Sequence, residues 1–148
     1  MADLTADFNY AEHHRGNQPR LLTNTLVVFK GSLLALDDST GYVVLHSDTA
    51  GDLFLGICVG GATGNTTTGV EATIDETGAT IKRINVTGVS AITHVGDLVY
   101  CATDNPADFK VAANTNVRAC GKITRWYSAA VCDVRLFTPE EHHNLASL

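Results

Sequence analysis

The side chains that could carry chemistry are all present in this chain, but their spacing does not assemble them. Six histidines fall as two adjacent pairs, His13-His14 and His142-His143, with His46 and His94 single. Adjacent residues point apart, so neither pair chelates a metal by itself. A metal site would need the two ends of the chain to converge, in the fold or in an oligomer. The four cysteines, Cys58, Cys101, Cys120 and Cys132, sit far apart in apolar runs, with no CxxC and no histidine at ligand spacing. They read as buried free thiols rather than two disulfides. Each falls in an expected strand interior, away from any helix N-terminus that would lower its pKa. Asp37, Asp38, Asp48, Asp52, Asp75, Asp97, Asp104 and Asp108 lie in turn-forming stretches, where a carboxylate hydrogen-bonds nearby backbone. The glycine-rich stretch GGATGNTTT at 60–68 lacks both the Lys-Ser/Thr ending of a phosphate loop and the GxGxxG spacing. It reads as a flexible tip. No GxSxG elbow occurs either. The residues therefore point away from an enzyme, and no cofactor or metal is expected.

Composition narrows the partners. The chain has 148 residues, 45% hydrophobic and 18% charged, the balance of one folded domain with a sizeable core. Ten Lys and Arg against sixteen Asp and Glu give a net charge of −6, which argues against nucleic acid, whose backbone requires clustered cations. No segment approaches the roughly 18 apolar residues of a membrane span, and residues 1–20 are too polar for a signal peptide, so synthesis in the cytoplasm is expected.

The positioning elements read as short strands separated by Gly, Asn, Asp and Thr. Expected strands cover 25–29, 32–36, 42–46 and 53–59, the last an apolar run buried on both faces. Residues 70–75 alternate cleanly, with Val70, Ala72 and Ile74 on one face. Glu76-Thr77-Gly78 turns the chain, and the period of two slips at Lys82-Arg83, which predicts a β-bulge. Two further runs, 84–89 and 98–101, flank a turn at Val95-Gly96-Asp97 and serve as scaffold joining two halves of a barrel. A long strand is expected over 117–127, a tip at Ser128 and a return over 129–137. The fold class is all-β, a compact barrel or sandwich of short antiparallel strands over 25–137.

Two arms flank it. In 1–24, Gly16, Asn17 and Pro19 break regular structure, while Phe8, Tyr10, Arg15 and Arg20 offer aromatic and cationic contacts to a partner. In 138–148, Thr138, Pro139 and Glu141 form a capping-box pattern for a short helix. Trp126 and Tyr127 are consecutive and so face opposite ways in a strand. One belongs to the core and the other is available as a contact.

This order of features resembles the small β-barrel decoration, or cement, proteins on capsids of tailed bacteriophages. The resemblance rests on the turn at Val28-Phe29-Lys30-Gly31-Ser32, on Gly41-Tyr42-Val43-Val44, and on Leu55-Gly56-Ile57-Cys58 before the Gly/Thr loop. Val95-Gly96-Asp97-Leu98-Val99-Tyr100 and Ala119-Cys120-Gly121-Lys122-Ile123 complete it, and it spans residues 25–137. It implies a non-enzymatic structural protein on the outer surface of a virion. Such a protein binds the major capsid protein at subunit junctions, forms a homotrimer and reaches neighbours through its termini, adding strands to them. The alternative is a glycan- or receptor-binding module that uses Trp126, Tyr127 and the 60–68 loop as a platform.

Overall fold

A computed structural model describes residues 17–145. The strands are β1 (Asn17–Leu21), β2 (Val27–Val28), β3 (Leu33–Leu36), β4 (Val43–Leu45), β5 (Leu53–Gly60), β6 (Ala62–Thr63), β7 (Glu71–Asp75), β8 (Thr80–Asn85), β9 (Leu98–Val99), β10 (Gly121–Ser128) and β11 (Val131–Leu136). One α-helix follows, α1 (Pro139–Asn144). The protein is all-β in character. Its strands pair antiparallel into a five-stranded sheet, β1-β7-β5-β3-β4, a four-stranded sheet, β8-β11-β10-β9, and a β2-β6 ribbon. Where β1 ends, Leu22 bridges Val43 of β4 and the Thr23 amide donates to the Val43 carbonyl at 3.1 Å, which curls the first sheet into a half-barrel.

Alternation of side chains sends successive residues into two cores. Leu34, Leu55, Cys58, Ala72 and Ile74 pack with Leu22, Val28 and Val43 on one face of the first sheet. Leu33 and Phe54 face the other way and join Ile123, Cys132, Val134 and Leu136 of the second sheet. Each fully buried Leu or Phe contributes roughly 1.5–3 kcal/mol relative to an exposed one. The first sheet is thus covered on both sides, which explains the unbroken apolar run of β5.

Several boundaries differ from expectation, each for a tertiary reason. Asn17–Leu21, expected within the N-terminal arm, pairs with β7 along its whole length. Pro19 is tolerated because β1 lies at the sheet edge, where an absent amide leaves no ladder bond unmade. Residues 138–145, expected as an arm, pack on the body: α1 lies against β5, and His142 is fully buried. The capping box forms as expected, Thr138 Oγ1 accepting from the Glu141 amide at 3.2 Å and Glu141 Oε1 from the Thr138 amide at 3.1 Å.

The strand expected over 117–127 begins only at Gly121, because the Asp48 carboxylate gathers the amides of Thr115, Asn116 and Val117 at 2.8–3.1 Å and holds that segment as a loop. In the 84–101 stretch, β8 stops at Asn85 and the chain crosses to the opposite edge of the second sheet before β9. The turn at Val95-Gly96-Asp97 is present. Gly96 has φ +96°, its amide donates to the Ile123 carbonyl at 2.8 Å, and the Ile123 amide returns a bond to Asp97 at 3.0 Å.

Candidate functional site

The bulge expected at Lys82-Arg83 builds the most distinctive surface of the molecule. The β8–β11 register shifts between Cys132 and Val134, and Arg83 takes φ +53°, a left-handed conformation rare for a residue with a long side chain. Asp133 of β11 holds it there. One carboxylate oxygen accepts from the Arg83 amide at 3.0 Å, and the other accepts from the Tyr127 hydroxyl at 2.9 Å. Desolvation opposes the charge on Asp133, but those two donors, with Arg125 and Lys82 nearby, hold its pKa below the usual carboxylate range. A single ionised side chain thereby fixes both a strained turn on β8 and an aromatic ring on β10.

Two guanidinium groups stack on that ring. The Arg83 guanidinium carbon lies 4.2 Å from the Tyr127 ring centroid and that of Arg125 lies 4.7 Å away. Arg125 and Tyr127 are two apart on β10, on one face, and Lys82 and Arg83 are exposed on β8. Trp126, between them, turns the other way. It packs against the core between the sheets, and its indole N–H donates to the Ala129 carbonyl at 2.9 Å. Both consecutive aromatics are half-buried: Trp126 packs against the core, and Tyr127 carries the two guanidiniums.

The other expected contact residues scatter. Phe8, Tyr10 and Arg15 lie outside the described residues. Arg20 is committed within the body, its Nη2 donating to Glu76 Oε1 at 2.7 Å and its Nε to the other carboxylate oxygen. That pairing raises the Arg20 pKa despite partial desolvation. Arg83 and Arg125 are candidate contact residues that sequence reasoning passed over. The available signal was the period slip at Lys82-Arg83, which places a basic residue at a bulge, but nothing in the sequence says that β8 and β10 flank the same strand.

The potentially reactive residues each have a structural occupation. All four cysteines are free and buried, and burial pushes the Cys101, Cys120 and Cys132 thiols up, which keeps them protonated at neutral pH. His46 Nε2 donates to the Cys101 carbonyl at 2.7 Å, and its ring meets Phe54 edge-on at 5.3 Å. His142 Nδ1 accepts from the Phe54 amide at 3.2 Å, which places its proton on Nε2. That Nε2 is buried without a partner. His94 pairs with Asp97 at 2.9 Å. His13 and His14 lie outside the described residues.

Among the described residues, the group that metal-ligand spacing picks out is Asp37, Asp38 and Asp52, whose carboxylate oxygens lie within 4.8 Å of one another. Asp37 is engaged there in its own turn, accepting from the Ser39 amide and hydroxyl at 2.8 and 2.7 Å. Burial, reinforced by Asp37 and Asp38, raises the Asp52 pKa. No helix among the described residues is long and apolar enough to cross a membrane. No protein-family model matches the chain, and no curated protein matches it.

Proposed function

We propose that this protein decorates and stabilises a phage capsid by binding the major capsid protein at subunit junctions, as a homotrimer on the virion surface. The observation that carries this reading is a set of large apolar side chains left outside a well-filled interior. Phe29 is 69% exposed and Ile92 65%, and Ile92, Val95 and Leu98 fall within seven residues that run into the first residue of β9. Clustered exposed apolar groups favour coverage by another surface, and a body wedged between shell subunits and its own copies covers them. The resemblance of residues 25–137 to decoration proteins supports the same reading.

The glycan-platform alternative is less favoured, because it needs Trp126 and Tyr127 on one open face and Trp126 packs half-buried against the core. The 60–68 stretch is also tied down, β6 pairing with β2.

Electron micrographs of particles of the phage that encodes the chain, incubated with purified protein, test the proposal. Regular decoration of the shell is the expected result, and bare shells at saturating protein would reject it. Removing residues 1–16, which spares β1, is expected to leave a folded body and weaken attachment.

A further inference from the structure

The partner chemistry of the Tyr127 face can be named: we infer that Arg83 and Arg125, stacked on Tyr127, receive carboxylates presented by an acidic protein surface. The inference rests on the decoration reading above for its setting, but its argument comes from the side chains themselves. Two other arginines of the body end on carboxylates, Arg20 on Glu76 and Arg135 on Glu141 at 2.6 Å, while Arg118 lines the crevice beside His142. Arg83 and Arg125 differ. Among the described residues neither has a carboxylate within ion-pair distance of its guanidinium, and both end on one ring.

Asp133, whose charge Arg125 and Lys82 favour, spends its two oxygens on the Arg83 amide and the Tyr127 hydroxyl. Each guanidinium lies over the ring, and neither donates a side-chain hydrogen bond to a described residue, so its N–H groups can take a bidentate carboxylate. Lys82, exposed on β8, adds a third cation. The backbone conformation that presents this cluster is itself unfavourable, since Arg83 is held at φ +53° against its intrinsic preference. Such strain persists where surrounding structure enforces it, and it concentrates at working surfaces.

A net charge of −6 selects the partner. The surrounding acidic molecule repels a long polyanion such as nucleic acid, whereas a few carboxylates on a protein surface engage the local cations alone.

Nuclear magnetic resonance titration of the full chain tests this with tetraglutamate, tetraglutamine and a short oligothymidylate. Tetraglutamate is expected to shift the Arg83, Arg125 and Tyr127 signals, less so as salt rises, and tetraglutamine is expected to leave them in place. The double variant Arg83→Gly with Arg125→Gln removes both guanidiniums, and glycine accepts φ +53° without cost. Each exposed pair is worth a few-fold, so the double variant is expected to lower tetraglutamate affinity about tenfold. Equal shifts from tetraglutamine, tighter binding of oligothymidylate, or undiminished affinity of the double variant would overturn the inference.

Particle decoration separates the two proposals. Wild-type decoration that the double variant matches in full rejects the carboxylate site and leaves the decoration reading standing. A wild-type protein that leaves shells bare rejects the decoration reading, and the peptide titration alone then decides the carboxylate site.

Discussion

Gly56 adopts φ +155°, and a Cβ placed there would run into the Asp75 carbonyl oxygen of the adjacent strand. The position sits where the β3–β5 register shifts, so the missing side chain lets β5 bulge while both of its faces stay buried. Gly96 contrasts with it. Its φ of +96° also favours glycine, yet a Cβ there meets nothing within 4 Å. Gly56→Ala is therefore expected to cost about 3 kcal/mol or more, because main chain must move, and Gly96→Ala about 1 kcal/mol from backbone strain alone. Denaturant titration of the two variants measures the difference, and equal losses would contradict the steric account. Residues of this kind were half legible in advance. A glycine inside an apolar run marks a break, but which carbonyl excludes its Cβ depends on a strand nearly twenty residues away.

At the scale of the element, α1 is the case where sequence described the part and missed its placement. Thr138, Pro139 and Glu141 announce a capped helix, and one forms. Its docking depends on His142, which meets the Phe54 amide of β5 across 88 residues of sequence. Burial lowers the His142 pKa to about 4, with Arg118, His46 and His143 adding like charge. Arg118 and Asp52 line a crevice of about 50 Å³ beside the ring. Because the folded pKa lies below the usual histidine value, the neutral ring stabilises the docked helix above about pH 6.5. That stability is expected to drain away as pH falls toward 4, by roughly 3 kcal/mol in all.

The Arg135–Glu141 pair survives the same window, since Arg135 holds the Glu141 pKa at about 2. Hydrogen exchange of α1 amides between pH 7 and pH 4, compared with that of His142→Gln, checks this. The variant is expected to flatten the pH dependence, and an unchanged slope would assign the titration elsewhere. β1 shows the complementary limit. Gly16, Asn17 and Pro19 are breakers by type, yet Asn17–Leu21 is a strand because the edge of β7 offered a ladder that tolerates proline.

Over the whole molecule, a half-barrel and a second sheet share the strands of the first sheet as a common wall, with a core on each side. All four cysteines lie within those cores at 0–1% exposure. A water-soluble disulfide reagent is therefore expected to leave them unmodified in native buffer and to modify all four once the protein unfolds. Prompt reaction of any thiol in the native protein would show that a core opens without global unfolding. The sequence by itself determined the all-β class, the Lys82-Arg83 bulge, the capped helix and the opposed faces of Trp126 and Tyr127. Those features depend on residue type and short-range periodicity, which act within a few residues of chain. Only the tertiary structure decided that β8 and β10 flank β11, and that the ends of the described chain close onto the body. It also placed Arg83 and Arg125 on one tyrosine. Strand order is set by which distant faces bury best together, and no local pattern encodes that choice.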